Sequence, residues 1–262
     1  MRGKQEESAS GQGMEAADDL LWGINAVSEA LQQNSKAITE VLIQQGKTGA
    51  RLQHIIELAR SASVSVRFVD PRRMGVPQHC RHQGVVARHS AAALLSLDEL
   101  LAGLAQSPPG KQPRLLILDS IQDPRNLGSI FRSALASGFD HVILPRERSA
   151  PVTGTVARTS AGATAHLRIC QVINLAETLN RLKEKGFWIF GAVVEPDAQS
   201  IYTADFSGPI CLVIGSEEKG IRPLVKKHCD HLVTIPMHSP FNSLNASVAA
   251  AIIMFEIARR SS

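Results

Sequence analysis

Three stretches of the 262-residue chain gather polar side chains beside glycine or proline, and each opens where an apolar run ends. In IQDPRNLGSIFRSALASG, Asp123-Pro124 makes a turn, Asn126 stands where a helix N-cap belongs, and Gly138 stops the helix. Leu127, Phe131, Ala134 and Leu135 recur at helical spacing, which leaves Arg132 off the buried stripe. Helical side chains lean toward the N-terminus, so the Arg132 guanidinium can reach back to the loop. VIGSEEKGI offers a glycine-rich turn after a strand, in the manner of a phosphate loop. Yet Glu217 and Glu218 precede its lysine and would repel a polyphosphate. A carboxylate beside exposed backbone groups suits a cationic ligand, such as a sulfonium or an amino group. In TIPMHSPFNSLNASVAAAIIMFEIARR, Ser243 and Asn245 open a helix that is apolar nearly all round, a pattern of burial against a sheet, a second subunit, or both. Taken singly, each stretch also has a plainer reading: a capped helix with a solvated arginine, a charged surface turn, and the cap of a core helix.

The elements around these stretches set where they lie. Over residues 113–262, strands RLLILD, HVILP, WIFGAVV, ICLVIG and HLVTIP alternate with helices NLGSIFRSALASG, LAETLNRLKEKG and SLNASVAAAIIMFEIARR. Further helical stretches follow Pro151 and lie near PLVKKHC. Apolar strands interleaved with helices predict an α/β domain with a mostly parallel sheet covered on both faces. Ligands of such sheets sit beyond the carboxyl ends of the strands. DSIQDPRN, GSEEKG and PMHSPFN all occupy such ends. Ahead of this half, residues 20–90 read as a smaller α/β module with a helix from about Ile24 to Leu31, strand ITEVLIQ, helix RLQHIIELARS, and strands SVRFVD and GVVAR. Residues 91–112 contain a helix and then a Ser/Pro/Gly/Lys stretch, and are assigned as the linker. Residues 1–19 have no apolar core and carry acidic side chains, so they read as a disordered tail and neither a signal nor a transit peptide.

Hydrophobic residues make up 44% of the chain, which excludes a disordered or fibrous protein. A formal charge of +4 and a pI near 9.0 suit a polyanionic partner. Arg72, Arg73, Arg81 and Arg88, with His79 and His82, give the first module cationic side chains that could bind phosphates of such a partner, unless they are simply solvated. Aromatics at 4% leave little base-stacking surface. The four cysteines form no CxxC pair, which fits a reducing cytoplasm. No apolar run is long enough to span a bilayer, so the chain reads as soluble, with no membrane and no DNA partner. His79-Cys80-x-His82 and His228-Cys229-x-His231 match no zinc module, and no metal is assigned. No GxGxxG opens a helix, against a dehydrogenase.

The order and spacing of the three polar stretches resemble the three signatures of the SpoU (TrmH) family of the SPOUT superfamily. DPRNLGSIFRSALASG is similar to the first, VIGSEEKG to the second and IPMHSPFNSLNASVAAAI to the third. HQGVVAR resembles the end of the family's substrate-binding domain, so the likeness covers roughly residues 20 to 260. The resemblance implies an L30e-like RNA-binding domain, a SPOUT domain folded as a deep trefoil knot, a homodimer, and S-adenosylmethionine-dependent methylation of a ribose 2′-hydroxyl in RNA. The branch it is most similar to acts on a guanosine in the peptidyl-transferase loop of large-subunit (23S) rRNA. A ribose of tRNA or elsewhere in rRNA stays open, as does a non-catalytic RNA-binding protein on the same fold. At matching positions, Gly215, Ile235 and Leu244 become backbone contacts to the cofactor. Asn126, Arg132, Glu217, Ser243 and Asn245 become the polar residues around the reacting ribose. An arginine stays protonated up to a pKa above about 12, which resists a general-base role for Arg132. Holding a phosphate bidentately and stabilising a developing alkoxide is the alternative.

Overall fold

The computed structural model describes residues 20–76, 80–90, 92–104, 112–238 and 244–260, the Asn34 side chain aside. The expected tail over residues 1–19, together with His79 and Ser243, lies outside the described residues. The chain divides into two compact units, the first running to Ala93 and taking in Pro151–Gly154, the second comprising Leu94–Ala150 and Thr155–Ser262.

The first unit holds β1 (Leu20–Trp22), α1 (Ile24–Asn34), β2 (Ile38–Gln44), α2 (Ala50–Ser61), β3 (Ser65–Val69) and β4 (Val85–His89). The strands order as β1-β4-β2-β3, with β4 antiparallel to both neighbours and β3 parallel to β2. Side chains alternate across a strand. Val41 and Ile43 of β2 therefore point to one face, where Val27 and Leu31 of α1 and Leu52, Ile55 and Ala59 of α2 bury them. Glu40 and Leu42 point to the other face, whose small cluster of Leu20, Leu42, Met74 and Val86 receives no helical residue.

The second unit runs β5 (Leu94–Leu95), α3 (Leu97–Leu104), β6 (Arg114–Asp119), α4 (Pro124–Ala136), β7 (His141–Pro145), α5 (Gly154–Thr159), β8 (Arg168–Val172), α6 (Leu175–Glu184), β9 (Trp188–Ala192), β10 (Gln199–Ser200), β11 (Ile210–Gly215), α7 (Pro223–Lys227), β12 (His231–Thr234) and α8 (Ala246–Arg260). Its strands order as β10-β12-β9-β11-β6-β7-β8-β5, every pairing parallel. Leu115, Ile117, Cys211 and Val213 pack with Leu100 of α3, Leu179 and Leu182 of α6 and Val225 of α7. The intervening Leu116, Leu118, Leu212 and Ile214 are buried as well, on the side where α8 meets α4 and β11. Both faces of the sheet are thus covered, as the apolar runs predict. None of the described helices is long and apolar enough to cross a membrane.

Four strands, β1, β5, β8 and β10, were not read from the sequence. Strand β8, RICQV, went unread because Arg168 and Gln171 interrupt its apolar run, although Ile169, Cys170 and Val172 are buried. Residues 94–104, assigned to the linker, form β5 alongside β8 and the amphipathic α3. A capping box starts that helix. The Ser96 hydroxyl accepts from the Glu99 N–H at 3.2 Å, and the Glu99 carboxylate accepts from the Ser96 N–H at 2.7 Å.

Candidate functional site

The carboxyl ends of β6, β11 and β12 deliver the three polar stretches to one place. After β6, Asp123 and not Asn126 caps α4: its Oδ1 accepts the Arg125 N–H at 2.9 Å, with Pro124 in the first turn. Both residue types cap helices well, and the proline, whose fixed φ suits the first helical position, selects the earlier one. The Asn126 side chain is thereby released from capping. Gly138, at φ +82°, ends the helix as read.

After β11 the chain doubles back in a tight turn. Ser216 and Gly220 exchange backbone hydrogen bonds of 3.2 and 2.9 Å, and Glu217 stands exposed at the tip. A Cβ on Gly215 would lie 2.1 Å from the Gly220 carbonyl carbon and 2.3 Å from the Ile221 nitrogen, so only glycine allows this approach. The turn is pinned beyond its end. Asp119, fully buried at the end of β6, accepts the Arg222 N–H at 2.8 Å and its Nε at 2.6 Å.

After β12, residues 235–238 and 244–245 lead into α8. Asn245 Oδ1 accepts from the Ser247 N–H at 2.9 Å and from its hydroxyl at 2.6 Å, which caps the helix and fixes the amide. Its Nδ2 is left to donate to Asn126 Oδ1 at 3.1 Å and to Glu217 Oε1 at 3.4 Å. Asn126 Nδ2 donates to the same Glu217 oxygen in a short hydrogen bond. The structure thus unites Asn126, Glu217 and Asn245. Arg132 lies exposed on α4 and makes no hydrogen bond or ion pair among the described residues. Ser243 lies outside them.

Glu217 also borders a cleft of about 570 Å³, within the size range of small-molecule sites. Gly215, Ile235 and Leu244 line it, with apolar walls from Ile214 and Ile253. At its side Lys226 donates to Glu195 at 2.6 Å. Neither this pair nor the Asp119–Arg222 clasp was read from the sequence; the position of Asp119 at a strand's carboxyl end was the available signal.

In the first unit, Arg72 and Arg73 sit exposed on a turn whose cap, Asp70, accepts the Arg72 N–H at 2.9 Å. Arg81 is exposed, while Arg88 is half-buried beside Glu40. Burial and the Lys47 charge lower the pKa of His82, and its Nδ1 accepts the Gly84 N–H at 3.2 Å, as a neutral ring can. The other histidine cluster is dispersed. His228 Nδ1 meets Asn180 Oδ1 at 2.9 Å, the Cys229 thiol donates to the Val225 carbonyl at 3.6 Å, and His231 stacks on Phe190.

Comparison with known proteins follows this division. The profile described as the SpoU rRNA Methylase family matches residues 113–255, more than half of the chain and all three strand ends of the site. The chain belongs to this family. A second profile, RNA 2′-O ribose methyltransferase substrate binding, matches residues 20–94. The 23S rRNA (guanosine-2′-O-)-methyltransferase RlmB of Xanthomonas axonopodis pv. citri is 41% identical, covering 94% of this chain and 98% of the relative. The RlmB of Ralstonia nicotianae is 41% identical, over 93% of this chain and 96% of its own. Among solved structures, a TrmH-family chain from Porphyromonas gingivalis aligns with a TM-score of 0.54 and 27% identity, covering 92% of this chain and 89% of that one. The SpoU methyltransferase AviRb of Streptomyces viridochromogenes, in complex with AdoMet, shares the fold with a TM-score of 0.56 and 24% identity over 92% of this chain and 89% of its own.

Proposed function

We propose that this SpoU-family chain transfers a methyl group from S-adenosylmethionine to the ribose 2′-hydroxyl of a guanosine in 23S rRNA. The observation that carries the reading is the meeting of Asn126, Glu217 and Asn245 at the border of an apolar cleft of about 570 Å³. The residues present fit the cofactor: apolar walls for its adenosine, and in Glu217 a carboxylate that forms no ion pair among the described residues and so can face a cation. Gly215, Ile235 and Leu244 would hold the cofactor, which when bound supplies an electrophilic methyl group on a positive sulfur. RlmB relatives at 41% identity over nearly the whole chain support guanosine in 23S rRNA as the substrate. The peptidyl-transferase loop is the target region that the motif resemblance implies.

In this reading the chain's own part is alignment and charge. The Asn126–Glu217–Asn245 network orients the ribose, since each amide is held by the others and by the α8 cap. Arg132, a cation with no partner among the described residues, takes the phosphate beside the reacting ribose and stabilises the developing alkoxide, while the hydroxyl proton leaves to water. Ser243 belongs to the same polar group by motif position. Arg72, Arg73, Arg81 and Arg88 supply RNA affinity from the first unit. A homodimer is part of the reading, supported by Val248 and Phe255 of α8, which are 47% and 50% exposed one heptad apart. The trefoil knot is likewise proposed, supported by a strand order in which β9, β11 and β12 lie on one side of β6 and β7 and β8 on the other.

The test is transfer of tritiated methyl from S-adenosylmethionine to unmethylated 23S rRNA, with ribose-methylated nucleotides mapped. Label in a single 2′-O-methylguanosine, reduced about a hundredfold or more in Arg132→Ala, is the expected result. Cofactor and RNA binding without label in any ribosomal or transfer RNA would leave a binding protein on this fold.

A further inference from the structure

The face of the first unit's sheet opposite α1 and α2 carries a charged arrangement that the cleft beside Glu217 does not use. Strand register sets it. Glu40 pairs with Ser65 and Arg88, and Leu42 pairs with Arg67, so Glu40, Arg67 and Arg88 project from the same face, opposite to the one covered by α1 and α2. Arg67 Nη1 lies 3.0 Å from Glu40 Oε1, and Arg88 Nε lies 3.1 Å from Glu40 Oε2. The Glu40 side chain is 10% exposed, whereas that of Arg67 is 65% exposed. These three, with Leu42, Asp70 and Arg73, border a depression of about 300 Å³.

A buried carboxylate is costly without compensation, and two guanidiniums overcompensate this one. Arg67 donates one N–H to Glu40 and keeps its other donors, held in a fixed plane, for a second acceptor, whereas Arg88 Nε lies within ion-pair distance of Glu40 without a hydrogen-bond partner. Arg73 adds a third guanidinium that has no partner among the described residues. Asp70 adds a negative charge, but its Oδ1 is turned to the Arg72 N–H. The rim is therefore net positive, and it stands on the face that neither α1 nor α2 covers. Guanidinium planes of this kind match a tetrahedral oxyanion.

We infer that this depression is the RNA-docking site of the first unit: Arg67 and Arg73 bind backbone phosphates of the RNA, and Glu40 is a positioning residue that holds Arg67 and Arg88 in their binding geometry. The inference rests on the reading that the first unit supplies RNA affinity, and commits it to one face. It adds Arg67 and Glu40 to the arginines that sequence spacing singled out, and it excludes the outer side of α2, where Arg51 and Arg60 are also exposed.

Filter binding of unmethylated 23S rRNA by the full chain, over a series of salt concentrations, tests this. Arg67→Ala and Arg73→Ala should each weaken binding about five- to tenfold at low salt and take about one unit off the slope of log K against log salt. Arg51→Ala and Arg60→Ala should leave both unchanged. Glu40→Gln separates positioning from simple charge. It raises the net charge by one, so electrostatics alone would tighten binding, whereas loss of the arginine geometry weakens it. Thermal melts of each variant confirm folding. Losses confined to Arg51 and Arg60, or tighter binding by Glu40→Gln, would overturn the inference while leaving RNA affinity in this unit. No change in any of these variants or in Arg72→Ala and Arg81→Ala would overturn the underlying reading as well.

Discussion

Glu217 in the second unit and Glu40 in the first are both carboxylates beside a depression, and their partners are opposite in kind. Glu217 is exposed and receives hydrogen bonds from two neutral amides, Asn126 and Asn245. Glu40 is nearly buried and faces two guanidiniums. The amides leave the charge of Glu217 intact, so its cleft keeps a negative focus for a cation. The guanidiniums more than cancel Glu40, so its depression keeps a positive surplus for an anion. Counting acidic residues would rate the two sites alike; counting what already neutralises them separates a site suited to a cation from one suited to an anion.

The comparison depends on the turn that presents Glu217, and Asp119 clasps Arg222 just beyond that turn. Asp119→Ala removes a fully buried carboxylate that bonds both the Arg222 backbone and its guanidinium. Arg222 is about a third exposed, so the charge left behind can be hydrated; loss of the two charged hydrogen bonds and of the packed Asp119 side chain costs about 2 kcal/mol and releases the turn that carries Glu217. Urea unfolding should show that loss, and the soluble fraction should bind S-adenosylmethionine poorly. Stability within about 0.5 kcal/mol of wild type would mean that the clasp is not what shapes the turn.

Glu217→Gln is a smaller and sharper change. Glutamine can still accept from Asn126 and Asn245, so the network persists and only the charge goes. S-adenosylmethionine affinity by calorimetry should fall about tenfold, equivalent to about 1.4 kcal/mol, with the melting temperature nearly unchanged. Equal affinity would show that the carboxylate serves the amides and not a cation.

What could be read from the sequence follows the range of the interactions. ITEVLIQ, RLLILD, HVILP and ICLVIG coincide with β2, β6, β7 and β11 because an apolar, β-branched run between turn residues is a local signal. The three loops of the site were visible for the same reason. The Ser96–Glu99 capping box was equally local and was passed over because the Pro and Gly that follow dominate the composition. Asn126 was given the capping role that Asp123 holds, since two good cap formers three residues apart are separated only by the proline between them. The partners of Asn126 and Glu40 were out of reach of spacing arguments. Asn126 and Glu217 are 91 residues apart, and Glu40 and Arg67 are 27 apart on neighbouring strands. Only the sheet order and register bring such pairs together.

A third carboxylate tests whether two arginines are enough to make an anion site. Glu256, near the end of α8, is bound by Arg259 at 2.8 and 2.9 Å and by Arg260 at 2.7 Å. Arg260 engages each of its three nitrogens, donating also to the Ala204 carbonyl at 2.6 Å and to the Tyr202 carbonyl, and it lies over the Phe206 ring at 5.7 Å. That guanidinium has little left for a phosphate, in contrast to Arg67. The bonds from Arg259 and then Arg260 hold the Glu256 carboxyl down to about 2 from an ordinary value of 4.5, against the opposing effect of burial. A folded value below the unfolded one means stabilisation that is complete above about pH 4.5 and is lost as pH falls toward about 2. Melting temperatures of wild type and Glu256→Gln should therefore differ by a small constant amount above that window and converge within it, while 23S rRNA affinity at neutral pH stays the same. A gap that persists down to pH 2 would remove the arginine pairing as its cause. A fall in RNA affinity would mean that paired arginines bind RNA wherever they occur, and the distinction drawn from spare donors would fail.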